Sequence, residues 1–293
     1  MNYKRAWAEI NLANLVHNLT VVKSKIPSNS AVEGKTSSML CTEGISKIMA
    51  IVKADGYGHG AVSVAHALSA GGVRSFGVAI CEEGIELRQS GITAPILIMG
   101  FTPEPLLMYA LELNLTQTIF SADGAKILAS HAASYEKRAA IHIKIDTGMS
   151  RLGFLPDKES ISAICEIAEN PNLFIEGIYT HFATSDALDS GFMFEQITRF
   201  KWVLNGLEQR GLKIPIKHMA NSGAFAQSLR NFNETVGALP PHPSRALRAL
   251  ALSHASRAGR VARCFAPPPS AGCTRRPAAL RHRIRRTCPH FFY

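Results

Sequence analysis

Strand-like and helix-like spacings of apolar residues alternate along this chain with unusual regularity. Short apolar runs separated by segments of helical spacing predict seven strands, at 48–52, 76–80, 95–99, 116–120, 141–145, 173–182 and 214–219. The intervening segments predict helices over 61–70, 82–89, 103–113, 121–138, 157–169 and 192–209. Repeated strand–helix units predict an α/β fold of the (β/α)8, or TIM-barrel, type.

The pattern is less regular at both ends. Residues 6–12 alternate like a short strand, and 12–26 have helical spacing. Residues 28–47 are rich in Ser, Thr and Gly, which predicts a loop. Residues 233–236 look like the start of another strand, but the pattern stops there. The barrel is therefore predicted to lack a complete eighth strand.

The first predicted strand carries the strongest chemical signal. Ile48 to Val52 is apolar throughout, as expected of a strand buried on both faces, and it runs directly into Lys53. Chemistry in α/β folds is placed at the carboxyl ends of strands. A lysine partly desolvated there can lose its proton near neutral pH and attack an aldehyde. Gly56, Gly58 and Gly60 permit a tight turn and close approach to a phosphate.

A lone lysine at a strand end is most often simply solvated, so the whole string decides the interpretation. Lys-Ala-Asp-Gly-Tyr-Gly-His-Gly, residues 53–60, closely resembles the cofactor-lysine signature of the alanine racemases, which use pyridoxal 5'-phosphate (PLP). The resemblance implies that Lys53 is the lysine that forms a Schiff base with PLP. It also implies that Tyr57 contacts the cofactor phosphate.

Two further strand ends carry segments similar to this family. Residues 144–153 follow the fifth strand and contain a glycine-flanked arginine, which suits binding of an anionic oxygen. The resemblance implies that Arg151 contacts the phenolic oxygen of PLP, and that Lys144 matches a family lysine that is often carbamylated. His181 ends the sixth strand, where the family histidine hydrogen-bonds a catalytic tyrosine.

The seventh strand ends in His218-Met219-Ala220-Asn221-Ser222. A serine hydroxyl and amides at a helix start can bind phosphate. The resemblance assigns Ser222 to the phosphate and includes the adjacent Asn221 among the cofactor-binding residues. It gives His218 the role of positioning an arginine that faces the pyridine nitrogen.

The resemblance covers about residues 3–236 and implies a PLP-dependent racemase that interconverts L-alanine and D-alanine, supplying D-alanine for peptidoglycan. The family has a short turn in place of residues 28–47, so the resemblance implies that this loop is an insertion. Racemisation needs a base on each face of the planar carbanion. Lys53 is expected to serve one face. In the family the other base is a tyrosine from a β-rich second domain of the partner subunit, so the enzyme is a homodimer. Whether serine is also a substrate stays open.

A change of composition marks a domain boundary near residue 237. Residues 238–293 hold eleven arginines and eight prolines without any lysine or acidic residue. The remaining 21 basic and 22 acidic residues give residues 1–237 a net charge of about −1. Such a tail is predicted to be disordered, and its composition is typical of a frameshifted reading. We therefore expect a barrel over 1–237 and a truncated, impaired racemase, or alternatively a PLP-binding barrel protein without racemase activity. Arginines permit phosphate contact, but we do not expect a nucleic-acid partner.

No apolar run reaches membrane-spanning length and no signal-peptide core is recognisable at the start, so a cytoplasmic protein is expected. The six cysteines are scattered without metal or disulfide spacing. We expect neither a metal nor a membrane partner.

Overall fold

A computed structural model of the chain describes residues 9–24, 26, 48–185, 191–225 and the backbone of 248–250. The helices are α1 (Leu12–Ser24), α2 (Lys53–Gly58), α3 (Ala61–Ala70), α4 (Cys81–Gln89), α5 (Glu104–Glu112), α6 (Ala122–Ser134), α7 (Lys158–Ala168) and α8 (Gly191–Gln209). The strands are β1 (Ile48–Ile51), β2 (Phe76–Val78), β3 (Ile96–Ile98), β4 (Thr116–Ile119), β5 (Ala139–Lys144), β6 (Leu173–Tyr179), β7 (Ile216–His218) and β8 (Arg248–Leu250). Within these ranges no helix is both long and apolar enough to cross a membrane.

The strands form one parallel sheet in the order β7-β6-β5-β4-β3-β2-β1-β8. A helix follows each strand from β1 to β6, so the predicted barrel-type α/β fold is confirmed. The sheet order has β7 and β8 at its two edges, and the described residues show no pairing between them. This agrees with the prediction of a barrel without a complete eighth strand.

One detail of the prediction was wrong. Residues 9–11 are not a strand, because the Asn11 side chain accepts hydrogen bonds from the Ala13 and Asn14 amides, at 3.0 and 3.2 Å, and so starts α1. After residue 237 the structure describes Arg248–Leu250, which pairs with β1, Met49 lying opposite Ala249. The predicted strand at 233–236 and the inserted loop at 28–47 lie outside the described residues.

The core lies on both faces of the sheet. Helices α1, α3, α4 and α5 pack their apolar sides against β1 to β3, and α5 to α8 pack against β4 to β6, giving two clusters of buried side chains. A smaller cluster of Met49, Ile51, Leu97 and Tyr179 fills part of the barrel interior. Burying a large apolar side chain contributes about 1.5–3 kcal/mol. These layers give the strand ends fixed positions on which a site can be built.

Candidate active site

The chain after β1 is a left-handed helical turn. Ala54, Asp55, Gly56 and Tyr57 have φ angles from 51 to 60° and ψ angles from 36 to 54°. For residues other than glycine this conformation costs roughly 1–2 kcal/mol each, and three of the four are not glycine. Such a turn persists only where surrounding interactions enforce it, and strained backbone of this kind is concentrated at functional sites.

Asp55 holds the turn from within. Its carboxylate accepts a hydrogen bond from the Ala61 amide at 2.7 Å, which satisfies the start of α3. Its main-chain oxygen accepts from the amides of His59 and Gly60, at 3.0 and 2.9 Å. The Asp55 side chain and backbone therefore join the turn to the helix that follows it.

Glu83 holds the turn from outside. Its Oε1 accepts from the Ala54 amide at 2.6 Å, and its Oε2 accepts from the amides of Ala79 at 2.7 Å and Ile80 at 3.3 Å. One carboxylate in the first turn of α4 thus links the residue after Lys53 to the end of β2. Hydrogen bonds from backbone amides to a charged group are among the stronger ones in proteins.

Lys53 is half-buried at the carboxyl end of β1, and its pKa is lowered from the ordinary value. Burial is the largest cause, the charge of Arg151 acts in the same direction, and Glu83 opposes both. A lowered pKa increases the fraction of neutral amine, the form that attacks a carbonyl carbon. Tyr57, in the same turn, has a raised pKa because of burial and the nearby Glu83.

Four of the predicted residues influence one another electrostatically. Burial lowers the pKa of His181 to about 4, helped by the charges of Lys144, Arg151 and Lys53. His181 is therefore neutral at pH 7. Burial also lowers the pKa of Lys144 to about 7, with Arg151 acting in the same direction and Asp146 against it. The ends of β1, β5 and β6 thus bring together an unusual concentration of positive charge, which suits an anionic ligand.

The loop that carries Arg151 is organised by Asp146. Asp146 Oδ1 accepts from the amides of Gly148 and Ser150, both at 2.9 Å, and Oδ2 accepts from the Arg151 amide at 3.1 Å. A Cβ atom on Gly153 would lie 2.3 Å from the Asp146 nitrogen, so only glycine permits the return of this loop. The Asp146 carboxylate and the close backbone contact at Gly153 therefore fix the conformation of this loop.

Gln196, fully buried on α8, connects the Arg151 loop to the His181 segment. Its Nε2 donates to Thr147 Oγ1 at 3.1 Å and to the His181 main-chain oxygen at 3.0 Å. Its Oε1 accepts from the Ala183 amide at 3.0 Å. The Gln196 side chain therefore fixes the Arg151 loop and the His181 segment relative to each other.

Aromatic rings connect Lys144 to the end of β7. The Lys144 Nζ lies 4.4 Å from the ring centroid of Tyr179, and the His218 ring stacks on Tyr179 at 4.6 Å and 4°. The Tyr179 hydroxyl lies 3.0 Å from Thr118 Oγ1. Burial, followed by the charges of His142 and Lys144, lowers the pKa of His218 well below its ordinary value. His218 is a neutral ring in this stack.

Asn221 and Ser222 follow β7. The Asn221 side-chain oxygen accepts from the Ala224 amide at 2.9 Å, and its main-chain oxygen accepts from Phe225 at 3.0 Å. Asn221 therefore caps the helical segment that begins at Ser222. Phosphate contacts of Asn221 and Ser222 remain predictions.

Sequence reasoning missed the residues that hold the site together. Glu83, Asp146 and Gln196 fix the loops, and Glu176 and His142 form a polar chain behind His218. Glu83 had a recognisable signal, because an acidic residue at the third position of a helix commonly binds backbone amides. Asp146 also had a local signal, because an aspartate before a glycine turn commonly binds backbone amides a few residues further along. Gln196, Glu176 and His142 depend on contacts between elements far apart in sequence, which leave no local pattern.

Comparison with known proteins gives consistent similarities. Residues 35–236 match the family described as "Alanine racemase, N-terminal domain". The chain is 44% identical over 219 residues to an alanine racemase of Clostridium tetani, covering 75% of this chain and 52% of that one, and 40% identical over 221 residues to one of Desulforamulus reducens, covering 75% and 55%. The chain spans about half the length of these curated relatives.

Solved structures agree with these relatives. An alanine racemase of Clostridium difficile 630 superposes with a TM-score of 0.72 at 35% identity, covering 85% of this chain and 58% of that one. An alanine racemase from Bacillus anthracis with bound L-Ala-P has a TM-score of 0.70 at 26% identity, covering 89% and 60%.

Proposed function

The chain belongs to the alanine racemase family, and we propose that it provides the PLP-binding half of a racemase that interconverts L-alanine and D-alanine. The observation that carries the proposal is Lys53, a half-buried lysine with a lowered pKa on a strained turn at the end of β1. Stored strain, desolvation and a charged surrounding are the features that enzymes use to prepare a lysine for attack on an aldehyde.

The residues around Lys53 fit PLP, which is an aldehyde with a phosphate and a phenolic oxygen. Lys53 would hold the aldehyde carbon covalently through Nζ, and Arg151 would bind the phenolic oxygen. Tyr57, Asn221 and Ser222 would bind the phosphate. In support, the positive charge of Arg151 lowers the pKa of both Lys53 and Lys144, so an anionic group would relieve this repulsion.

His218 and Lys144 would complete the binding site. His218, neutral and stacked on Tyr179, would position a donor near the pyridine nitrogen. Lys144, whose pKa of about 7 leaves much of it neutral, would be able to form a carbamate that holds Arg151. Both assignments come from the family resemblance.

PLP, when bound, supplies an electron sink that makes the Cα proton of an amino acid acidic. The neutral amine of Lys53 would take that proton on one face of Cα and return it there in the reverse direction. His181 would orient the tyrosine that serves the opposite face, a residue that the family places in the second domain of a partner subunit. The homodimer and the second base stay predictions.

Chemical trapping tests the proposal. The full chain is mixed with PLP, reduced with borohydride and mapped by mass spectrometry, with Lys53→Ala as the test variant and Lys126→Ala, an exposed lysine, as control. We expect the pyridoxyl mark on Lys53 in the wild type and in Lys126→Ala, and no mark at position 53 in Lys53→Ala. A chain marked elsewhere or unmarked would contradict the proposal.

A coupled assay for D-alanine then distinguishes the two functions that share PLP binding. Formation of D-alanine from L-alanine by the marked chain supports the racemase. A marked chain without turnover supports the alternative, a PLP-binding barrel protein without racemase activity. Replacing L-alanine by L-serine in the same assay determines the substrate preference.

A further inference from the structure

A chain of three buried or partly buried polar side chains lies behind the Lys53 site. Glu176 Oε2 lies 3.3 Å from His142 Nε2, and His142 Nδ1 lies 2.9 Å from His218 Nε2. The side chain of His142 is 2% exposed and that of Glu176 is 28% exposed. The chain thus runs from the edge of solvent, across β6 and β5, to the last residue of β7.

Two backbone features create this arrangement. The pairing of β5 with β6 shifts register between Ile141 and His142, so that Ile141 lies opposite Ile175 but His142 lies opposite Gly177, leaving Glu176 as the extra residue. A Cβ atom on Gly177 would lie 2.5–2.7 Å from three atoms of the His142 ring. The bulge therefore positions the Glu176 carboxylate, and the absence of a side chain at Gly177 leaves space for the His142 ring.

The proton positions in this chain follow from hydrogen-bond chemistry. The pKa of Glu176 is lowered, chiefly by its hydrogen bond with His142, so it is an ionised acceptor at neutral pH. Thr116 Oγ1 also donates to Glu176 Oε2, at 3.4 Å. His142 Nε2 must therefore carry a proton. In a neutral imidazole the other nitrogen is an acceptor, so His142 Nδ1 accepts and His218 Nε2 donates.

One buried amine, that of Lys144, already lies close to the aromatic rings around His218. Lys144 and Tyr179 lie on the neighbouring positions, with the Lys144 Nζ against the Tyr179 ring that stacks on His218. The neutral arrangement requires no buried cation beyond Lys144.

We propose that Glu176 and His142 are positioning residues that hold His218 in a single tautomer, with the proton on Nε2 and Nδ1 as the acceptor. This rests on the proposed function, because the acceptor would serve a hydrogen-bond donor of the PLP site. The donor is an N–H group, either of a guanidinium or of a protonated ring nitrogen, since both donate and neither accepts. In the absence of Glu176 nothing selects between the two directions of the His142–His218 hydrogen bond.

Nitrogen NMR of the full chain with ¹⁵N-labelled histidine tests this directly, because one-bond couplings show which ring nitrogens carry protons. His142→Gln and His218→Gln assign the signals. We expect protons on Nε2 of both rings in the wild type at neutral pH. In Glu176→Leu we expect loss of the single tautomer and a mixture at both rings, whereas Glu166→Leu, at an exposed position on α7, keeps the wild-type spectrum.

A His218 proton on Nδ1, a doubly protonated His142 at neutral pH, or an unchanged tautomer in Glu176→Leu would overturn the proposal. The wild-type spectrum decides the matter even if Glu176→Leu does not fold. The measurement is made without PLP, so its outcome is independent of whether Lys53 is marked by the cofactor. A correct tautomer in a chain that fails to bind PLP would therefore separate the two proposals.

Discussion

Removing the Glu83 carboxylate tests whether the Lys53 turn is held by interactions from outside it. In Glu83→Ala the amides of Ala54 and Ala79 lose an acceptor at 2.6 and 2.7 Å, and the Ile80 amide loses one at 3.3 Å. The turn that they hold contains three strained residues other than glycine. Loss of the acceptor therefore removes the main support that balances this strain.

The size of the effect follows from the two short hydrogen bonds. Bonds to a charged group contribute about 1.5–3 kcal/mol each, and the exposure of Ala54 argues for the lower end of that range. Two such bonds give about 3 kcal/mol. Loss of an acidic residue from the first turn of a helix adds about 0.3–1 kcal/mol. We expect Glu83→Ala to lower the free energy of unfolding by about 3–4 kcal/mol.

Glu82→Ala is the matched control. Glu82 lies beside Glu83 in the first turn of α4 and is exposed, so its removal changes the same charge at the same helix end. We expect it to lower the free energy of unfolding by only about 0.3–1 kcal/mol. Urea unfolding followed by circular dichroism measures both variants, and with a slope of about 3 kcal/mol per M the midpoints should differ by about 1 M.

The same variants test the connection from the turn to function. We expect Glu83→Ala to lose most of the borohydride-trapped PLP on Lys53 under conditions in which it is still folded, and Glu82→Ala to retain it. Equal unfolding midpoints for the two variants would refute the argument that Glu83 supports the turn. Unequal midpoints with equal trapping would limit its role to stability.

Three further predictions concern buried groups. Gly177→Ala should destabilise the fold by about 1–3 kcal/mol in urea unfolding, because its Cβ would overlap the His142 ring. In the control Gly206→Ala the overlap is with Cδ1 at the flexible end of the Ile161 side chain, and alanine adds helix propensity, so the loss should be smaller. Equal losses of stability in the two variants would contradict this. Since the pKa of His181 is lowered to about 4, the unfolded chain takes up a proton first as pH falls below 6.5, so stability should decrease from pH 6.5 to about 4. His218, whose pKa is also lowered, contributes in the same direction, so His181→Asn should reduce that slope in a pH series of unfolding curves, and an unchanged slope would contradict this. Since the pKa of Lys144 is lowered to about 7, its contribution to stability should increase as pH rises from 7 toward 10.5, and a Lys144→Met chain with the same pH dependence as the wild type would refute this.

Much of the fold was predictable because it depends on local patterns. The spacing of apolar residues identified β1 to β7 and helices α3 to α8 to within a few residues. Ser121, the first residue of the helix predicted at 121–138, caps α6, and its hydroxyl accepts from the Gly124 amide at 3.1 Å. The string from Lys53 to Gly60 identified the family that the comparisons confirm. Residues 248–250 were missed because a three-residue strand has no pattern of its own, and its pairing with β1 is a tertiary contact.

The amino-acid sequence alone thus determined the strand–helix alternation, the lysine at the end of the first strand and membership of the racemase family. Each of these depends on residues that are close together in sequence. Only the tertiary structure decided the left-handed turn at Ala54, the link from Glu83 to that turn, and the bulge that places Glu176 beside His142. The physical reason is the same in each case. Burial, charge and hydrogen-bond partners come from segments distant in sequence, and these set the pKa of Lys53 and the conformation that presents it.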